Sequence, residues 1–367
     1  MIYLDNNATT QLDPEVFVAM LPGMANTVGN PSSVHRYGQQ AKALLSDALR
    51  RCAHFFQVLP EELILTSGAT EALNFFIHTL SKQGHVITSS LEHAAVIEPL
   101  KHSGVQVSYL DPLCGKGAIT VEQVREALQD NTRMILLSAA NNETGIKTDI
   151  EAIAQVAEAA GIAFVVDGVC LLGKASFQLP RGVSAACFSG HKIHAPLGVG
   201  LAIVKKGVKT QPLIFGGPQQ RGLRAGTENL PAILGFAKAL ELLEEKWIAH
   251  MARLRDRLEK GVLSSLKDVI VHGKMEPRIC NTSNMAFLGV DGETLLMTLD
   301  LAGLAASHGS ACSSGTLETS RVLRSMGIES RIARSSLRFS LSRFTTEEEI
   351  DRSITLISDT VSRLRRI

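Results

Sequence analysis

Short apolar runs alternate with helical patterns from about residue 35 to 260, and this alternation most constrains the fold. ELILTS (62–67) precedes ATEALNFFIHTL, and HVITSS (85–90) precedes EHAAVIEPLKH. RMILLSAA (133–140) leads through NNETGIKT into DIEAIAQVAEAAG. IAFVVD (162–167), AACFSG (185–190) and GVGLAIVKK (198–206) continue the series. Strands that are apolar throughout, rather than at alternate positions, are covered on both faces. The expected fold class is α/β with a mostly parallel central sheet. A long helical pattern follows from about Leu230 to Leu266. Beyond it, SNMAFLGV, LAASHGSAC and SSLRFSLSR read as strands among the helical segments GETLLMTLDLAG and TTEEEIDRSITLISDTVSRLRR. That pattern predicts a smaller α+β domain at the C-terminus.

The chain of 367 residues is long enough for two such units. Its 37 Lys+Arg against 36 Asp+Glu give a formal charge of +1. This balance argues against a polyanion held by bulk charge, so neither nucleic acid nor a membrane surface is expected as a partner. The opening MIYLDNNATTQLDPE has no basic segment followed by an apolar core, and no long uncharged apolar run appears. The expectation is a cytoplasmic protein. Its six cysteines, Cys52, Cys114, Cys170, Cys187, Cys280 and Cys312, have no CxxC or other metal-like spacing. Reduced thiols and no metal are expected.

Ligands of open α/β sheets sit at the carboxyl ends of the strands. Here those ends carry Gly68-Ala69-Thr70-Glu71, Glu92-His93, Asn141-Asn142-Glu143, Asp167, and Ser189-Gly190-His191-Lys192. If the strands are parallel, these groups converge on one crevice. Gly68-Ala69-Thr70 opens a helix, which suits either an ordinary N-cap or a phosphate held by backbone N–H groups. Ser189 and His191 are candidate donors to the same anion. Asp167 ends an apolar strand, so it reads as a turn residue or as the partner of a protonated ring nitrogen. His93 is either structural or placed to stack on a ring and move protons. Lys192 lies in SGHKIHAPLGVG between two histidines. It is either a surface cation or an amine whose proton affinity is lowered by its surroundings, and hence a nucleophile. A phosphate site, a carboxylate and such an amine on one crevice are what pyridoxal phosphate requires.

These segments, in this order, carry a resemblance. YLDNNATT, GNPSSVHRYG (29–38), TSGATEALN (66–74), NNETG (141–145), VDGVC with LGK (166–174), SGHKIHAPLGVG, FGGPQQRGLRAGTEN (215–229), SHGSACSSG (307–315) and SSLRFSLSR (335–343) span nearly the whole chain. The chain resembles the NifS/IscS-like cysteine desulfurases, fold-type-I pyridoxal-phosphate enzymes of the class V aminotransferase family. The resemblance implies a large cofactor-binding domain over 15–260. It implies a small domain of 1–14 and 261–367 that carries the catalytic cysteine loop.

The resemblance further implies that Lys192 holds the cofactor covalently, Asp167 pairs with its pyridine nitrogen and His93 stacks on its ring. Ala69, Thr70, Ser189 and His191 would bind the phosphate, with Thr227 reaching a phosphate across a homodimer interface. Asn142 would lie near cofactor and substrate, and Arg338 would bind the carboxylate of L-cysteine. Cys312, set among glycine and serine, would be the nucleophile that takes sulfur as a persulfide.

Cys170 departs from the family, which usually has glutamine there, so the hydrogen bond to the cofactor's ring oxygen comes from a weaker donor. The chain also stops soon after its last helix, where longer relatives carry a tail that docks a scaffold protein. The sulfur acceptor, for iron–sulfur cluster assembly or tRNA thiolation, is therefore open. Selenocysteine lyase, another pyridoxal-phosphate enzyme of the same fold, and a non-catalytic homologue are the alternative readings.

Overall fold

A computed structural model describes residues 1–26, 29–81, 84–309 and 319–366. Cys312 lies outside these described residues. Among them the strands are β1 (Ile2–Tyr3), β2 (Leu63–Thr66), β3 (His85–Ser89), β4 (Gln106–Leu110), β5 (Thr132–Ser138) and β6 (Ala163–Asp167). They continue with β7 (Ala185–Ser189), β8 (Gly200–Val204), β9 (Val269–Val271), β10 (Thr282–Phe287), β11 (Leu304–Ala305) and β12 (Ser336–Ser340).

Seven strands form the central sheet in the order β2-β8-β7-β6-β5-β3-β4. The pairs β3–β4, β3–β5, β5–β6 and β6–β7 are parallel. Strand β8 is antiparallel to both β7 and β2. Two reversals restore direction, so β2 runs with the parallel set and ends on the same edge. Strand β8 instead begins at that edge. The apolar runs divide between two faces: Ile135 and Leu137 of β5 join one core cluster, while Met134 and Leu136 join the other. This double burial is why those strands carry few polar positions. The edge strand β4 is partly exposed and lacks such a run, so the apolar pattern does not reveal it.

The helical pattern expected as one piece from Leu230 to Leu266 is two helices, Leu230–Glu241 and Glu245–Ser265. Arg343 Nη1 donates to the carbonyl of Leu242 at 3.2 Å, which satisfies the end of the first. The break lets the two halves serve different cores. Leu234 and Ala237 pack with the central sheet, whereas Leu254, Leu258 and Val262 pack with Phe287, Leu337 and Phe339. That second cluster also takes in Ile2 and Leu4. Strand β1 pairs parallel with β11, and β10 sits between β12 and β9 in a three-stranded antiparallel sheet.

His272, just after β9, is 2% exposed, and its Nε2 lies 3.0 Å from Ser336 Oγ. Burial lowers its pKa from 6.5 to about 4. The unfolded chain therefore takes up a proton that the folded chain refuses, and stability falls as pH drops from about 6.5 to about 4. A His272→Asn chain is expected to lose about 2–3 kcal/mol less stability over that window. Urea unfolding at the two ends of the window measures it. His194 is lowered to about 4 in the same way and leaves a residual slope.

Candidate active site

The carboxyl edge of the sheet opens into a cavity of about 510 Å³. Ala69, Thr70, His93, Asn142, Asp167, Cys170, Ser189, His191, Lys192 and Arg338 all line it. These are ten of the twelve positions singled out from the sequence. Thr227 is exposed and does not line the cavity, and Cys312 is outside the described residues.

The helix Ala69–Leu80 begins directly after β2, with Gly68 at its N-cap. A glycine caps with no side chain, so the first N–H groups stay available to an anion. Strand β8 closes this turn from beside it. A Cβ placed on Gly200 would come within 2.6 Å of Gly68 Cα, so the approach needs glycine at position 200. Ser189, at the end of β7, comes near the same turn. His191 has its pKa lowered to about 4, by burial first and then by Lys192 and Lys174. Its ring is neutral at pH 7 and keeps one N–H to donate.

Lys192 follows β7 on a single 3₁₀ turn, Gly190–Lys192. Its Nζ donates to the carbonyl of Ala8 at 2.8 Å and to that of Asn7. Asp167 ends β6, is 7% exposed, and accepts from the N–H of Val169 at 3.0 Å. Burial raises its pKa, against the pull of that hydrogen bond, His93 and Lys192. Such a carboxylate is stabilised by any cation seated beside it. Burial also lowers the pKa of His93. Its Nδ1 accepts from Ala95 N–H at 3.1 Å, which places the remaining proton of the neutral ring on Nε2. Burial pushes the Cys170 thiol up, so it is a neutral group at pH 7.

Arg338 comes from β12 and is 2% exposed. Nη2 meets Asp5 Oδ1 at 2.6 Å, Nη1 donates to the carbonyl of Asn142 at 3.1 Å, and Nε has no partner among the described residues. The loop after β5 is shaped by Asn141, whose Oδ1 accepts from the N–H groups of Glu143 and Thr144 at 2.9 and 3.0 Å.

Sequence reasoning gave no role to Asp5, Asn7 or Ala8; Asn7 and Ala8 line the cavity from the N-terminus, and Asp5 holds Arg338. Their signal was the polar run DNNATT after an apolar start. It also missed the brace under His93. Glu92 accepts from Ser89 Oγ at 2.6 Å and from Ser138 N–H at 3.0 Å, and burial drives its pKa up to about 7.

The family pattern "Aminotransferase class-V" matches residues 2–352. The chain belongs to the class-V aminotransferase family. Members of this family use pyridoxal phosphate. Among its relatives, cysteine desulfurase 2 of Trichormus variabilis is 42% identical, with all of this chain and 94% of that one covered. Cysteine desulfurase NifS of Azotobacter vinelandii is 40% identical over the same shares. A solved structure titled NifS-like protein superposes with a TM-score of 0.92 at 34% identity, covering 99% of this chain and 100% of that one. Another, SspA in complex with cysteine, gives 0.83 at 28% identity, covering 94% and 100%.

Proposed function

We propose that this class-V aminotransferase is a cysteine desulfurase that converts L-cysteine to L-alanine and passes the sulfur to Cys312. One observation carries the reading. An amine, a buried carboxylate, an open helix N-terminus and a guanidinium share one cavity. The residues present fit pyridoxal phosphate: the Gly68 turn leaves N–H groups for its phosphate, and Asp167 offers a carboxylate raised in energy by burial. Ala69, Thr70, Ser189 and His191 would hold the phosphate, Asp167 the ring nitrogen, and Lys192 the aldehyde carbon. Bound there, the cofactor supplies an aldehyde that captures amines and a ring that takes up electrons.

The chain's own groups do the rest. Arg338 presents N–H donors to the substrate carboxylate, and Asn142 lies beside it. Lys192 Nζ accepts the proton from the substrate Cα. His93, its proton on Nε2, covers the ring and relays protons. The bond from substrate Cβ to sulfur breaks as a bond from that sulfur to Cys312 Sγ forms. Cβ gains a proton, alanine leaves, and a persulfide remains, with no outside oxidant required. Cys170 replaces a stronger donor to the ring oxygen with a weak one.

A homodimer, with Thr227 reaching the other copy's phosphate, belongs to the same reading. Leu197, which lines the cavity, is 75% exposed, and this supports a covering surface there. A division into 15–260 and 1–14 with 261–367 also belongs to this reading; the apolar cluster that Ile2 and Leu4 share with Phe287, Leu337 and Phe339 supports a separate small unit, and its inclusion of Leu254 and Leu258 moves the boundary toward the break between the helices Leu230–Glu241 and Glu245–Ser265. No helix among the described residues is long and apolar enough to cross a membrane, and a cytoplasmic site of action is part of the proposal. The persulfide then serves an acceptor for cluster assembly or tRNA thiolation.

Incubation with L-cysteine and a reductant tests the function. Alanine and sulfide are expected in equal amounts, with Cys312→Ala keeping the bound cofactor but losing sulfide release. Full sulfide release by that variant refutes the assignment of Cys312, and alanine without sulfide refutes the reaction.

A further inference from the structure

Lys174 ends the segment LLGK and is 5% exposed. Its backbone is fixed: the N–H donates to the carbonyl of Leu171 at 2.9 Å, and its own carbonyl accepts from Cys280 N–H at 3.0 Å. Yet its Nζ is buried with no hydrogen-bond partner among the described residues. A buried ammonium without a counter-charge is costly, and such a group persists where it serves something else.

What surrounds it is a second, small cavity of about 30 Å³ that meets the main one at Lys192. Lys174 and Lys192 both line it, along with Thr10, His194, Glu244 and Arg343. Arg343 is already neutralised by Asp13, and Glu244 by Lys246 at 2.7 Å. Cys170 and Cys280 face the Lys174 ammonium, but burial pushes both thiols up, that of Cys280 to about 12. Neither thiol carries a negative charge at pH 7. The other groups acting on Lys174 are cations, Lys192 and Arg338.

Lys192 has an opposite need. An ordinary lysine leaves only about one amine in 2,500 neutral at pH 7. The carbonyls of Asn7 and Ala8 accept from Nζ and favour the ammonium further. Asp167 favours it too, while His93, His191 and Cys170 are neutral neighbours. A positive charge on the cavity wall shared with the amine opposes these pulls.

We propose that Lys174 is a positioning residue for the Lys192 amine: an uncompensated buried cation on the wall of the cavity they share, which lowers the affinity of Lys192 for a proton. Burial, with Lys192 as a repelling neighbour, lowers the pKa of Lys174 itself from 10.5 to about 8, so it is largely charged at pH 7. The inference rests on the reading of Lys192 as the cofactor-bearing amine.

The test uses full-length wild-type, Lys174→Met and Lys174→Arg chains. Before pyridoxal phosphate is added, Lys192 is labelled with acetic anhydride across a pH series and quantified by peptide mass. The wild-type midpoint is expected below that of an ordinary lysine. Methionine raises it by about one unit, which is tenfold slower labelling at pH 7, and arginine keeps it low.

Thermal melting separates this role from a structural one. The methionine chain is expected to melt higher than wild type at pH 7, because the unpaired charge is gone. The gap closes as pH rises from about 8 toward 10.5, where the folded wild-type chain has shed the proton that the unfolded chain still holds. If the methionine chain does not fold, Lys174→Gln is read in the same way. An unmoved Lys192 midpoint in a folded variant, or an ordinary wild-type midpoint, overturns the proposal. A low midpoint in a chain that binds no pyridoxal phosphate instead sinks the functional reading and leaves this one standing.

Discussion

A Lys192→Ala chain is expected to lose at least about 10³-fold in sulfide release and to yield no borohydride-fixed cofactor. Two losses combine in it: the covalent link to the aldehyde and the base that takes the substrate's Cα proton. The anchors at Asp167 and at the start of helix Ala69–Leu80 remain, so pyridoxal phosphate should still bind, but reversibly, and should leave on gel filtration. The fold should survive. Lys192 is only partly buried, and its acceptors at Asn7 and Ala8 are carbonyls with a second lone pair for water. Melting within a few degrees of wild type, together with an empty borohydride reaction, is the expected pair of results. A cofactor still fixed to the segment 185–200 after reduction would refute the role of Lys192.

Arg338→Ala carries the second large effect, and it falls on binding. A charge-assisted hydrogen bond to a substrate carboxylate is worth about 1.5–3 kcal/mol, so KM for L-cysteine should rise about 10- to 100-fold. Arg338→Lys should recover only part of this, because a point charge does not reproduce the fork. The change also costs stability. Asp5 and the carbonyl of Asn142 lose their partner, at about 1–3 kcal/mol, a cost moderated because the Asp5 side chain is 18% exposed and can turn to water. Steady-state kinetics on a variant verified as folded decides the matter. An unchanged KM would remove Arg338 from the substrate's carboxylate.

The two variants probe residues of different legibility. Lys192, Asp167, His93 and the Gly68 turn follow directly after apolar strands, and local pattern placed them at one edge of a parallel sheet. The approach of β8 to Gly68 could not be read in that way. It depends on β8 running against its neighbours, and a strand's direction leaves no trace in its own composition. The edge strand β4 escaped because partial exposure removes the unbroken apolar run on which the reading relied. The break after Glu241 escaped because both flanking segments keep helical periodicity; its cause is the demand of two separate cores. Asn7 and Ala8 reach Lys192 across half of the chain and Asp5 reaches Arg338 across most of it, and no window of sequence reports such contacts.

The pairing of the first residues with the last strands has a bearing on biosynthesis. Asn6 bonds to the carbonyl of Ser340 across 334 positions, and Leu4 and Ile2 add to a core built largely from residues near the other end. The carbonyls that hold Lys192 thus belong to a stretch made well before the strands it is seated among. During translation the sheet can assemble, and Thr10 can pair with His191, while residues 2–7 still await β11 and β12. A nascent chain arrested before β12 would lack the Ser340 contacts that seat Asn6 and Asn7, and would hold the Asn7 carbonyl less firmly against Lys192.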